Sequence, residues 1–160
     1  MRIAVVSDTH AHVENARAAV RVLEQLDVEL VLHCGDIGST SIIPLFADWP
    51  THYVFGNVDY GESELRQAIE QAGHTCHERF GSLELEGRRI AFLHSDDGRL
   101  FQETVSADEW DLVCYGHTHV AAQEKIGKTL VLNPGALYRA TPHSFAVVEL
   151  PSLTTDHIEV

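Results

Sequence analysis

At 160 residues, 44% of them apolar and 22% charged, the chain can bury a full core without disulfides and is too hydrophobic for disorder. Its formal charge of −13, from 24 acidic residues against nine arginines and two lysines, argues against an extended nucleic-acid partner. No apolar run is long enough to span a membrane, and the apolar stretch before Asp8 is too short for a signal peptide, so a cytoplasmic chain is expected.

The first apolar run, Arg2 to Ser7, reads as a strand ending at Asp8-Thr9-His10. From Val13 to Leu26, Val13, Ala16, Ala19, Val20 and Leu23 recur at helical spacing, with Glu14, Arg17, Arg21 and Glu24 mostly outward. Glu29 to Cys34 is the second strand, running into Gly35-Asp36. Thr40 to Trp49 predicts a short helix carrying Ile42, Ile43, Leu45 and Phe46, halted before Pro50. His52 to Phe55 is the third strand, running into Gly56-Asn57, and Glu62 to Ala72 a helix closed by Gly73. Ser82 to Glu86 and Arg88 to Leu93 read as a hairpin turning at Glu86-Gly87, its second arm ending at His94. A helix over Leu100 to Ser106 precedes a strand over Asp111 to Tyr115, which ends at Gly116-His117-Thr118-His119. Short strands over Ala121 to Lys125, Thr129 to Leu132, Ser144 to Leu150 and Thr154 to Val160 follow. Strand–helix alternation giving way to a meander predicts an α/β fold of two facing sheets with helices outside.

Seven residues stand where these strands end: Asp8, His10, Asp36, Asn57, His94, His117 and His119. Open α/β proteins build their sites at such edges. Two carboxylates, one amide and four imidazoles suit Mn, Fe, Zn or Ni better than Ca or Mg, without ranking those four. Alternate residues of an extended segment point the same way, so Asp8 with His10, and His117 with His119, are expected to project as pairs. Asp36, free to turn after Gly35, is the natural bridge between two ions. The expected sets are Asp8, His10, Asp36 and His119 on one ion, and Asp36, Asn57, His94 and His117 on the other. Two ions about 3.5–4 Å apart would share a water, lower its pKa and clamp the oxygens of an in-line phosphoryl displacement. Each short motif is common alone; their order and shared strand-end position carry the reading.

In the order Asp8-Thr9-His10, Gly35-Asp36, Gly56-Asn57, His94 and Gly116-His117-Thr118-His119, the chain resembles the calcineurin-like metallophosphoesterase superfamily. With Asn133-Pro134-Gly135 after the last motif, it looks most like that family's small single-domain microbial phosphodiesterase branch. The resemblance spans Met1 to about Leu150. It implies a four-layer α/β/β/α sandwich of two mixed sheets flanked by helices, forming a single metallophosphoesterase domain over residues 1–160. It also implies two divalent metal ions, with Mn placed first and Ni, Zn or Fe as alternatives. The implied activity is a metal-dependent phosphodiesterase in which a metal-bridging hydroxide attacks phosphorus in line, the seven residues being at once catalytic and metal-binding. A phosphomonoesterase or nucleotide pyrophosphatase on the same site is the near alternative. A non-catalytic protein-interaction scaffold is the distant one, and such scaffolds typically lose ligands, whereas all seven stand here.

Three departures from the family pattern matter. Val58 follows Gly56-Asn57 where many relatives carry a histidine that assists the leaving group. Valine donates no proton, and acid assistance is worth roughly 10²–10⁴-fold, so good leaving groups such as aryl or nucleotide-type alcohols are expected to be favoured. His94-Ser95-Asp96 replaces the usual His-Gly-His, setting Asp96 and Asp97 beside the cleft as a solvated turn or as acceptors for a ligand imidazole. Ala136 stands where the family's turn usually has serine.

Arg139 is a candidate, with Asn57, for binding a substrate phosphate, and His143 a weaker one. Asp59 is expected to orient a ligand imidazole, His33 to be a satisfied core histidine, and His12, His52, His74, His77 and His157 to lie on the surface. Cys34, Cys76 and Cys114, without CxxC spacing, read as free thiols in a reducing compartment. Strong acidity with scarce lysine fits either simple solubility or a high-salt habitat. The expected partner is a small phosphoester, and a homodimer is left open.

Overall fold

Side-chain alternation along the first strand, β1 (Arg2–Val6), divides the molecule into layers in the computed structural model, which describes residues 1–160. Ala4 and Val6 point to one face, where they meet Ala16, Ala19 and Leu23 of α1 (Val13–Leu23) and Leu65 and Ile69 of α2 (Glu62–Gln71). Ile42, Ile43 and Phe46 of a 3-10 segment, Thr40–Phe46, join the same cluster. Ile3 and Val5 point to the other face and meet a second sheet through Ile90 and Phe92 of β6 (Arg88–Leu93) and Leu112 and Cys114 of β7 (Leu112–Tyr115). The outer face of that sheet, Ala91, Leu93 and Val113, packs on Val105 of α3 (Gly98–Ser106). The layers run helices, sheet, sheet, helix. Each fully buried Val, Ile, Leu or Phe contributes about 1.5–3 kcal/mol to holding them together.

The remaining strands are β2 (Leu30–His33), β3 (Thr51–Tyr53), β4 (Thr75–Cys76), β5 (Phe80–Leu85), β8 (Ala122–Ile126), β9 (Thr129–Asn133), β10 (Ser144–Glu149) and β11 (Thr154–Glu159). The first sheet has the order β11-β10-β1-β2-β3-β4 and the second β5-β6-β7-β9-β8. Strands β1 to β4 are mutually parallel, as are β6, β7 and β9, while β10, β11, β5 and β8 pair antiparallel, so both sheets are mixed. Strand β2 is buried at all four positions, because a parallel strand between two layers has no wet face. The hairpin turns at Glu86 and Gly87, with φ of +50° and +72°, the paired left-handed geometry of a tight two-residue turn.

Several elements are displaced by one or two residues from the sequence reading, β3 for instance ending at Tyr53 rather than Phe55, and three depart further. Helix α1 stops at Leu23 rather than Leu26, because the next turn tightens: Gln25 and Leu26 donate to carbonyls only three residues back. The Thr40 segment is 3-10 and ends at Phe46, with Pro44, which lacks an N–H, inside it. Strand β4, unanticipated, is two residues long and pairs only with β3. No helix is long and apolar enough to cross a membrane.

Candidate metal centre

Parallel pairing sends the carboxyl ends of β1, β2 and β3, and of β6 and β7, each in a common direction. All seven strand-end residues meet there. The backbone that carries them is not extended: φ is +55° at Asp8, +44° at His10, +54° at Asp36, +73° at His117 and +59° at His119. Such values are uncommon outside glycine and concentrate at functional sites. The Asp8/His10 and His117/His119 pairs therefore project from left-handed turns, not from the extended alternation that their spacing suggested.

Asp8 Oδ1 lies 3.1 Å from His119 Nε2 and 3.6 Å from His10 Nε2, and those two ring nitrogens are 3.3 Å apart. Asp36 Oδ2 lies 3.3 Å from His10 Nε2 and 3.2 Å from His94 Nε2. Asn57 Oδ1 is 3.1 Å from His94 Nε2 and 3.0 Å from His117 Nδ1. Atoms bound to one ion at about 2.0–2.2 Å lie roughly 3–3.6 Å from one another, so these spacings fit a metal. Asp8 Oδ1 is buried without a hydrogen-bond partner, an arrangement that is costly unless a cation meets its lone pairs. Spacing and orphaned oxygen agree.

Backbone groups aim the donors. Asp8 Oδ2 accepts from the His117 N–H and Asp36 Oδ1 from the Val58 N–H, both at 3.0 Å. His94 Nδ1 donates to the Cys34 carbonyl at 2.8 Å, which turns its Nε2 lone pair toward the cluster. A β-carbon on Gly56 would collide with Asp36 Oδ1, so only glycine lets these two strand ends approach. Burial opposes charge at Asp8, but the nearby His10 ring and the charges of His94 and His119 outweigh it and hold the carboxyl below its ordinary pKa. Asp36 is lowered in the same way, burial being outweighed by its contacts with His94 and the Val58 N–H. His94 is raised in turn: burial pulls it down, and Asp36 and Asp8 more than offset that.

Other candidates land elsewhere. Asp59 touches no imidazole; its oxygens accept from the N–H groups of Gly38 and Gly56, each at 2.8 Å, tying together the two loops that carry Asp36 and Asn57. Asp96 pairs with Arg79 at 2.9 Å, and Asp97 caps α3 by accepting from the Arg99 and Leu100 N–H groups. Neither contacts a histidine of the cluster. Arg139 is exposed, its guanidinium 5.1 Å from the Tyr138 ring centroid, while its carbonyl lies 3.4 Å from His119 Nδ1. His143 Nε2 is 3.4 Å from Asn15 Nδ2. His33 is a core residue, 3.1 Å from Thr9 Oγ1 and stacked on Tyr53.

The five histidines expected on the surface are all at least half-buried. His74 is buried, His52 and His77 meet at 2.8 Å, His157 bonds the Asn133 carbonyl at 2.7 Å, and His12 stacks on Tyr138. Sequence reasoning also missed Tyr138, whose ring lies 5.3 Å from that of His10, and Asn133, whose amide donates to the Gly116 carbonyl at 3.1 Å. The Asn133-Pro134-Gly135 turn was the available signal for both.

The family model of the calcineurin-like phosphoesterase superfamily domain matches residues 1–152. A phosphodiesterase of Methanocaldococcus jannaschii is 30% identical over 138 residues, 84% of this chain and 83% of that one. The solved structure of an archaeal phosphodiesterase superposes with a TM-score of 0.92 at 26% identity, over 100% of both chains. Vacuolar Protein Sorting 29 of Cryptosporidium parvum shares the fold alone, at a TM-score of 0.67 and 17% identity over 99% of this chain and 96% of that one.

Proposed function

The chain belongs to the calcineurin-like phosphoesterase superfamily and is a phosphoric ester hydrolase, and on that premise we propose that it cleaves phosphodiesters at a dinuclear centre held by Asp8, His10, Asp36, Asn57, His94, His117 and His119. The observation that carries this reading is Asp36 Oδ2, nearly equidistant at 3.3 and 3.2 Å from the ring nitrogens of His10 and His94. One oxygen thus serves two donor groups: Asp8, His10 and His119 on one side, Asn57, His94 and His117 on the other. When bound, a pair of divalent ions, Mn first and Ni, Zn or Fe as alternatives, supplies an activated water and neutralises charge during in-line displacement at phosphorus.

The protein's own residues do the rest. The imidazoles keep Asp8 and Asp36 ionised, and the His117 and Val58 N–H groups fix their orientation. Asn57 contributes a neutral oxygen, which limits the negative charge that a substrate phosphate meets, and its amide N–H remains to donate to that phosphate. Arg139, exposed beside Tyr138, takes a second phosphate oxygen. Val58 brings no proton to the departing alcohol, so leaving groups that need none are favoured.

Metal-stripped protein assayed on bis(p-nitrophenyl) phosphate, with Mn²⁺, Ni²⁺, Zn²⁺ and Mg²⁺ restored separately, tests the centre. Turnover is expected to return with Mn²⁺, and silence with every ion in folded protein overturns the reading. Val58→His is expected to raise rates on alkyl diesters by at least about tenfold while changing aryl diesters little. Equal wild-type rates on both substrate types would sink the leaving-group preference.

A further inference from the structure

Tyr60 and Val120 are the large hydrophobic side chains left in solvent, 90% and 62% exposed. In the chain, Tyr60 lies three residues after Asn57 and Val120 directly after His119. Beside Tyr60 lies a groove of 280 Å³, lined also by Ser39, Thr40, Val58, Glu64 and Leu65. That is near the lower end of the usual range for small-molecule sites, about 300–1,000 Å³. The groove is linked to the centre through Val58, which lines it and whose backbone N–H donates to Asp36 Oδ1 at 3.0 Å.

Its chemistry is restrictive. Asp59 also lines it, but both Asp59 oxygens are already held by the Gly38 and Gly56 N–H groups. Glu64 is the carboxylate left to accept a hydrogen bond, Tyr60 offers an open aromatic face, and no lysine or arginine lines the groove. A second phosphate would meet negative charge with nothing to neutralise it. A planar, uncharged group bearing an N–H donor would meet a stacking surface and an acceptor.

We infer that this groove takes the nucleoside part of a nucleotide diester, with the base against the Tyr60 ring and its exocyclic amino group donating to Glu64. The inference rests on the phosphodiesterase reading and names its substrate class: a nucleoside ester rather than a nucleoside polyphosphate or a simple alkyl diester. Tyr60 and Glu64 are specificity residues here and take no part in bond cleavage.

Calorimetry on the Mn²⁺-loaded full chain tests this with adenosine 5′-monophosphate, purine riboside 5′-monophosphate (the same base without its amino group) and methyl phosphate. Adenosine 5′-monophosphate should bind about tenfold or more tightly than methyl phosphate, the scale of one base–aromatic stack. Tyr60→Ala should erase that advantage and Tyr60→Phe retain it. Adenosine should also bind severalfold more tightly than purine riboside, a difference that Glu64→Gln removes. Equal affinities for the nucleotide and methyl phosphate, or an advantage that survives Tyr60→Ala, overturns the inference. Methyl phosphate binding and bis(p-nitrophenyl) phosphate turnover report on the metal centre independently. If both hold while the nucleotide gains nothing, the groove assignment alone fails; if both vanish, the phosphodiesterase reading falls first and this one with it.

Discussion

Histidines gather twice in this molecule: at the strand ends beside Asp8 and Asp36, and along β3 and β4 beside one another. At the first place burial lowers the His94 pKa, but the contact with Asp36 and the charges of Asp8 and Asp36 carry it above the ordinary value. At the second, burial lowers His52, His74 and His77, and no carboxylate opposes it. The charges of His77 and His74 add to burial at His52, which is pushed down to about 4. There the rings serve as packing: His77 meets the edge of Phe92, His74 lies against Tyr53, and His52 and His77 share a hydrogen bond of 2.8 Å. The same side chain is a carboxylate's partner in one place and a neutral packing residue in the other. What separates them is the carboxylate at hand, not the number of histidines.

Removing one member from each region gives the largest expected contrast. Asp36→Ala should lower metal-restored turnover of bis(p-nitrophenyl) phosphate by more than about a hundredfold, at or beyond the loss caused by mutating partners of metal ligands. His52→Gln should leave it within about twofold of wild type. Similar losses in both variants would break the distinction. Asp59→Ala should fall between them. Its carboxylate joins the loops of Asp36 and Asn57, so freeing those loops should weaken Mn²⁺ binding by about tenfold, read as a shift in the metal concentration that restores half of full activity. An unchanged metal requirement would mean that the loops hold their places without it.

This contrast was only half legible in the sequence. The seven strand-end residues stood out because each follows an apolar run, and parallel strands necessarily bring such ends to one edge. The two mixed sheets could be anticipated from the switch between helix-spaced and alternating segments. The turns that deliver Asp8 and His10 could not, since their positive φ values leave no periodicity to read. The role of Asp59 was hidden for a related reason, because its partners are backbone N–H groups, one of them 21 residues away. The second histidine group was missed because His74 and His77 flank β4, a strand of two residues, too short to show which side is buried. Tertiary contact alone places them inside.

The smallest expected effect tests the contrast through pH. In the unfolded chain His52 takes up a proton near its ordinary pKa of 6.5, whereas the folded protein resists protonation until about 4. Between those values the unfolded state binds more protons. The stability due to neutral His52 is therefore complete above about pH 6.5 and lost as pH falls toward 4. The full shift, discounted for partial exposure and for the proximity of His77 and His74, corresponds to about 1–2 kcal/mol, or roughly 3–6 °C in the unfolding midpoint of a chain this size. His94 has the opposite sign in the metal-free protein: its raised pKa gives stability that is present below about pH 6.5 and lost as pH rises through the folded value. Whole-protein melting mixes the two slopes. The difference in midpoint between wild type and His52→Gln isolates one of them, and it should shift against the wild type steadily from pH 7 to 4.5. A difference that stays flat over that range would mean that His52 is protonated as easily folded as unfolded, and the two histidine groups would then not be electrostatic opposites.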